Sequence, residues 1–148
     1  MRTNLPVTTV EYKLRPGTLI VSKTDTKGRI TFVNRDFIEA SGFLESELIG
    51  QPHNIVRHPD MPEEAFADLW RTLKSGRPWT GLVKNRRKDG GYYWVVANVT
   101  PVREGSEVVG FMSVRSIATA EQIAGATAVY KKFRDQAAKG LAIREGSV

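Results

Sequence analysis

The order of the sequence patterns predicts an α+β domain, with a five-stranded antiparallel sheet, short helices over one face and a C-terminal helix. Three observations carry that expectation. Two β-rich runs come first and three come last, with helical stretches between them. Residues 63–74 place Phe66, Leu69, Trp70 and Leu73 at i, i+3, i+4 and i+7, which is one apolar stripe of an amphipathic helix. Asp89-Gly90 separates two long β-rich runs, a strong short-range hairpin signal.

Residues 1–17 carry two prolines and no clear periodicity, and read as an N-terminal arm. Runs 18–22 and 29–34 form a hairpin about the turn Asp25-Thr26-Lys27-Gly28. Stretches 35–41 and 45–49 are short helices, each followed closely by glycine. A loop spans 50–62, and the amphipathic helix follows, with Asp60 available as its N-cap, Glu63 three residues on and Gly76 ending it. Strands are expected at 79–87, 92–103 and 107–117, then a helix over 119–139 with Ile123, Tyr130 and Phe133 as its larger apolar or aromatic residues. The expected division is an arm (1–17), a main domain body (18–118), and a C-terminal helix with a linker (119–148). In the strand from Tyr92 both alternating sets are mostly apolar, so each sheet face needs cover. The arm, the C-terminal helix or a second subunit must supply the outer cover, which points to dimerisation or docking of a flanking segment.

A chain of 148 residues suits one domain with a real core. Its net charge is 22 − 16 = +6. The excess is spread along the chain and accompanied by no nucleic-acid motif, so nucleic-acid binding is not expected. Without cysteine there are no disulfides, thiolate metal sites or cysteine photochemistry. No signal-peptide pattern is present and no apolar run approaches the ~20 residues of a membrane span. A cytoplasmic domain is the expectation, either standing alone or as one piece of a longer protein.

The run Gly50-Gln-Pro-His-Asn-Ile-Val-Arg-His-Pro-Asp-Met-Pro62 holds both histidines and three prolines, which forbid a continuous helix. Arg57, His58 and Asp60 stand just before the amphipathic helix, where amide groups favour anions. The loop suits a phosphate-bearing ligand or an ordinary capped connector. Alternation puts Trp79, Gly81, Val83 and Asn85 on one strand face: an aromatic plane, a gap, an apolar wall and an amide. A planar ligand with polar edges would want these elements, and so would a plain core. Asn34 ends the second strand, either capping the next helix or reaching the same cavity. Asn98 faces the cavity only if the turn at Asp89-Gly90 is a strict two-residue one; a bulged turn brings Val95 and Ala97 in instead. Histidine spacing fits no standard metal set. No nucleophile–base pair or phosphate loop marks an enzyme.

These residues resemble PAS domains. Ile30-Thr31-Phe32-Val33-Asn34 leading to Phe37-Ile38-Glu39-Ala40-Ser41-Gly42-Phe43, then Glu47-Leu48-Ile49-Gly50, Lys88-Asp89-Gly90-Gly91-Tyr92-Tyr93-Trp94 and Gly110-Phe111-Met112-Ser113-Val114-Arg115, follow the PAS order over about residues 18–118. The 50–62 run, with Trp79 through Asn85-Arg86-Arg87-Lys88, is similar to the N-terminal PAS domains of bacterial aerotaxis receptors. That resemblance implies a PAS fold and non-covalent FAD serving as a redox or oxygen-linked sensor for aerotaxis and chemotaxis signalling, and not an enzyme. Carried over, Asn34, His53, Arg57, His58, Asp60, Trp79 and Asn85 are the expected cofactor-binding residues. His53 stands where related photoreceptors place their reactive cysteine. In those photoreceptors a last-strand glutamine reports on the flavin; here Phe111-Met112-Ser113 offers none, so another residue must carry the signal. Expected partners are FAD and a second PAS domain, or the HAMP and methyl-accepting signalling regions of a full receptor. Two rivals keep the fold: a haem gas sensor with His53 or His58 as axial ligand, and a cofactor-free dimerisation module.

Overall fold

Every expected strand and helix forms. The computed structural model describes the backbone of residues 6–146 and the side chains of residues 6–137; positions 1–5 of the expected arm and 147–148 of the expected linker lie outside the described residues. The elements are β1 (Ile20–Thr24), β2 (Ile30–Val33), α1 (Arg35–Ser41), α2 (Glu45–Leu48), a 3₁₀ turn (His53–Val56), α3 (Glu63–Lys74), β3 (Trp79–Arg86), β4 (Tyr92–Glu104), β5 (Glu107–Ile117) and α4 (Ala120–Gly146). The five strands form one sheet in the order β2-β1-β5-β4-β3, and every neighbouring pair is antiparallel.

Strand β1 starts two residues later than the run 18–22 suggests. Thr18 is held in a turn, its amide and hydroxyl both donating to the Arg15 carbonyl (3.1 and 2.6 Å). Register settles the question left open at Asp89-Gly90. Arg86 pairs with Tyr92, and the Arg87 amide donates to the Gly91 carbonyl (2.8 Å), leaving a three-residue loop with Gly90 at φ 91°. Such loops end in a left-handed glycine and shift the register by one relative to a two-residue turn. Val95 and Ala97 are therefore fully buried, while Asn98 points outward and accepts from the Thr80 hydroxyl (2.8 Å). Gly90 is also sterically required, because a Cβ there would lie 2.0 Å from the Pro6 carbonyl oxygen of the arm.

Helices α1, α2 and α3 lie over the inner sheet face. Phe37, Phe43, Leu48, Val56 and Leu73 are buried against Ile20, Ile30, Val83, Tyr93 and Val95. The expected Asp60 N-cap of α3 does not form: Pro62 is the cap residue and no side chain accepts from the first turn. Lys84 draws the Asp60 carboxylate away instead (2.9 Å).

The two-sided burial of β4 is met from within the chain. Tyr130 of α4 stacks on Trp94 (centroids 6.3 Å, interplanar 15°), and Lys84 lies over the Tyr92 ring. The arm runs parallel to β4 at Tyr92, with Tyr92 donating to the Val10 carbonyl (3.0 Å) and Tyr12 donating to that of Tyr92 (2.7 Å). Helix α4 begins on a reciprocal cap, in which the Thr119 hydroxyl accepts from the Gln122 amide (3.1 Å) and the Gln122 side chain from the Thr119 amide (2.8 Å).

Candidate ligand-binding site

Between the inner sheet face and the helices lies a cavity of about 260 Å³. Its buried floor is built by alternation on three strands: Ser22 on β1, Val83 and Asn85 on β3, and Phe111, Ser113 and Arg115 on β5. Exposed residues ring the mouth, Lys27 on the β1–β2 turn, Pro52 and Asn54 in the loop, and Trp70 on α3. Among the described residues, three cationic side chains, Lys27, Arg57 and Arg115, line this cavity and no carboxylate does.

Arg115 sets the character of the floor. It is 7% exposed, its Nε donates to Ser113 Oγ (2.9 Å) and its Nη1 donates to Asn85 Oδ1 (3.2 Å). Burial lowers its pKa from the ordinary value, yet a guanidinium stays charged at neutral pH. A buried cation held only by neutral oxygens favours an electron-rich ligand atom. Asn85 is 2% exposed, and accepting from Arg115 fixes its amide so that Nδ2 is the free donor. The Tyr93 hydroxyl lies beside this amide, and among the described residues neither it nor Nδ2, both buried, has a hydrogen-bond partner of good geometry. Burial pushes the Tyr93 phenol up to about 12, so it too remains a neutral donor.

His53 lies on the wall opposite, its Nε2 within 3.0 Å of the Ser22 hydroxyl and its ring edge-on to Phe37. Its depth in the fold, and then the Arg115 charge, push its pKa down to about 3, so it is a neutral imidazole. Arg57 enters from the loop. Its backbone bridges β3 at Asn85, and its guanidinium lies 3.8 Å from the Phe66 ring centroid.

Of the seven residues singled out from the sequence, His53, Arg57 and Asn85 meet at the cavity and four do not. Asn34 is the α1 cap: its Oδ1 accepts from Phe37 and Val21 (3.0 Å each) and its Nδ2 donates to the Leu19 carbonyl (2.8 Å). Trp79 shares the strand face of Asn85, but its indole lies across Gly81, where a Cβ would sit 2.3 Å from the ring, and its Nε1 donates to Asp68 Oδ2 (2.8 Å). It borders a wider groove of about 540 Å³ between α3, β3 and α4, whose charged lining (Glu64, Asp68, Arg71) is exposed.

His58 and Asp60 pass around the edge of β3 and leave the cavity lining. His58 is 3% exposed and edge-on to Tyr92, and its Nδ1 accepts from the Asp60 amide (3.0 Å). Burial first, then Lys84, push its pKa down to about 4, against a smaller pull from Asp60. Burial raises the Asp60 carboxyl, but Lys84 outweighs it and holds the group below its usual range. Sequence reasoning missed Arg115, Ser22, Ser113, Lys27 and Trp70 as lining residues. Alternation of Phe111, Ser113 and Arg115 along β5 was the available signal, because it sets the polar Arg115 on the same face two residues after Ser113.

Comparison with known proteins agrees with this architecture. Residues 30–115 match the family model described as the PAS fold. The chain is 49% identical over 146 residues to the aerotaxis receptor of Escherichia coli (strain K12), covering 95% of this chain and 29% of the receptor. It is 32% identical over 86 residues to the nitrogen fixation regulatory protein of Klebsiella pneumoniae, covering 58% of this chain and 17% of that protein. The chain thus spans less than a third of these relatives. Among solved structures, the light-state structure of the blue-light photoreceptor Aureochrome1 LOV matches with TM-score 0.65 and 17% identity, over 78% of this chain and 91% of that one. The PAS domain of a Colwellia psychrerythraea protein matches with TM-score 0.63 and 23% identity, over 69% and 87%. A sheet of this order with helices over one face, enclosing a cavity, and a family match across more than half its length make the chain a member of the PAS fold family.

Proposed function

We propose that this chain is the sensing domain of an aerotaxis-type receptor and holds FAD non-covalently in the cavity between sheet and helices. The observation that carries the proposal is the cavity floor: among the described residues, a buried Arg115 without a carboxylate partner lies next to a buried Asn85 whose Nδ2 lacks a well-placed acceptor. A planar heterocycle with acceptor atoms on its edge satisfies both, and the apolar walls of Val83, Val99, Phe111 and Leu73 suit its rings. At about 260 Å³ the cavity lies just below the ~300–1,000 Å³ of pockets that enclose whole ligands, so it suits the ring system and leaves the rest at the mouth. FAD, when bound, supplies reversible electron transfer. Similarity to the aerotaxis receptor supports the sensory role.

In this reading Asn85 and Arg115 orient the ring edge, His53 stays neutral beside it, and Arg57 meets the negative charge at the mouth. Asn34, Trp79, His58 and Asp60 hold the frame: the α1 cap, the α3–β3 contact and the loop that carries Arg57. Output runs to α4. The Tyr130 hydroxyl donates to the Leu82 carbonyl (2.6 Å) and Arg134 to the Asp60 carbonyl, so α4 grips both β3, which bears Asn85, and the loop that carries Arg57. From there the signal passes to a second PAS domain or to HAMP and methyl-accepting regions of a longer receptor. A haem in the same place is supported less well, because His53 Nε2 is engaged by Ser22 and His58 faces away from the cavity. The absorbance spectrum of the purified protein tests the proposal. Flavin bands are expected, and a haem Soret band, or no flavin band even after incubation with FAD, overturns it.

A further inference from the structure

We infer that Trp70 and Lys27 form a separate subsite at the cavity mouth that takes the purine and diphosphate of a dinucleotide, and so makes the domain select FAD over FMN. This rests on the assignment of the cavity to a flavin ring. The cavity encloses too little volume for a dinucleotide, so the distal half of such a ligand must leave through the mouth. That exit passes between the β1–β2 turn and α3, where exposed Lys27 and Trp70 line the opening.

Trp70 is the anomaly of the α3 stripe. Phe66 and Leu69 are partly buried and Leu73 is 2% exposed, yet Trp70 remains 36% exposed. Its ring is fixed rather than loose: it sits edge-on to Phe111 (centroids 5.5 Å, interplanar 76°), and its six-membered ring lies 3.8 Å from the Cβ position of Gly28. Gly28 adopts φ 83°, so the turn bends tightly there and brings Lys27 beside the indole at the mouth. The Lys27 ammonium makes no ion pair among the described residues, since Asp25 in the same turn is taken by Arg29 (2.8 Å). A rigid aromatic plane with open surface, next to an ammonium with no counter-charge, is what an aromatic base joined to a diphosphate requires. FMN ends at its single phosphate and cannot reach a base platform.

Apoprotein is titrated with riboflavin, FMN and FAD, reading flavin fluorescence, for the unmodified chain and for Trp70→Leu, Trp70→Phe and Lys27→Met. Stacking of one base on an aromatic side chain is typically worth ~1–3 kcal/mol, which corresponds to about 5- to 150-fold in affinity. Trp70→Leu keeps an apolar wall against Phe111 and is expected to weaken FAD at least about fivefold while leaving FMN and riboflavin within about twofold. Trp70→Phe restores part of the FAD preference, and Lys27→Met weakens FAD and FMN but not riboflavin. Equal loss for all three ligands in Trp70→Leu makes Trp70 a wall and overturns the subsite. An unchanged ratio of FAD to FMN affinity in Trp70→Leu also overturns it, and both results leave the flavin assignment standing. Failure of the unmodified apoprotein to bind any of the three ligands overturns both.

Discussion

Arg115 of β5 donates to the side-chain oxygen of Asn85 two strands away, and the pair is buried at the cavity floor (Nη1 to Oδ1 3.2 Å). Each residue fixes the other. The guanidinium sets which end of the amide is free, and the amide oxygen holds the guanidinium in place of a carboxylate.

That coupling predicts a non-additive double-mutant cycle. In the apoprotein, Asn85→Leu strands a buried cation, at a cost of ~1.5–3 kcal/mol for a hydrogen bond to a charged group. Arg115→Met in the same chain removes the charge that needed the bond. Denaturant unfolding should show the double variant more stable than the sum of the singles by ~1–2 kcal/mol. Strict additivity would place the two side chains out of contact. With flavin bound, Asn85→Leu should also shift the midpoint potential.

Arg57→Ala should weaken FAD retention at least about tenfold relative to Lys132→Ala, in line with ~1.5–3 kcal/mol for a charge-assisted contact. Both variants remove one positive charge, but Lys132 is exposed on α4 and Arg57 lines the cavity over Phe66. Melting of the two apoproteins separates lost packing from lost binding. Equal occupancy would take Arg57 out of the ligand site.

Two neutral histidines, His58 buried and His53 half-buried at the cavity wall, define an acid limit. Their folded pKa values of about 3 (His53) and about 4 (His58) lie below the ordinary 6.5, so the unfolded chain binds more protons once the pH falls under about 6.5. Stability is complete above that point and is lost as the pH falls through the window towards 4, at up to ~1.4 kcal/mol per pH unit for each histidine. The lowered carboxyls of Asp60 and Asp68 act in a lower window, below their ordinary 3.8. Urea unfolding between pH 7 and 4.5 should show the decline, and His53→Gln and His58→Gln should each flatten it. A flat profile in the unmodified chain contradicts the assignment of both histidines as neutral in the fold.

Tyr130→Phe should loosen α4 with little effect on the sheet. It keeps the stack on Trp94 and removes the donor to the Leu82 carbonyl, a loss of ~1–3 kcal/mol if that carbonyl stays dry. Hydrogen exchange should rise across α4 while β4 and β5 amides hold. Uniform protection across both would mean that α4 is held by other contacts.

Local chemistry made much of this fold legible. The α3 stripe, the glycine stop after α1 and the β5 limits follow from period and turn residues, and they stand where the sequence places them. Residues whose role depends on their neighbours' positions were not legible. Asp60 has the chemistry and spacing of an N-cap, yet Lys84, distant in sequence, competes for it and wins. His58 sits one residue after Arg57, but the loop crosses the edge of β3 between them, so neighbours in sequence face opposite sides. Arg115 reads as an ordinary strand cation until β1 and β4 flank it and the cavity closes over it.

The identity of the chromophore released on denaturing the purified full chain tests the central claim most directly. Chromatography should show FAD as the main species, at near one per chain after reconstitution with added FAD. Haem or FMN as the main species, or no bound chromophore after reconstitution, would contradict the assignment of the Asn85–Arg115 cavity to FAD.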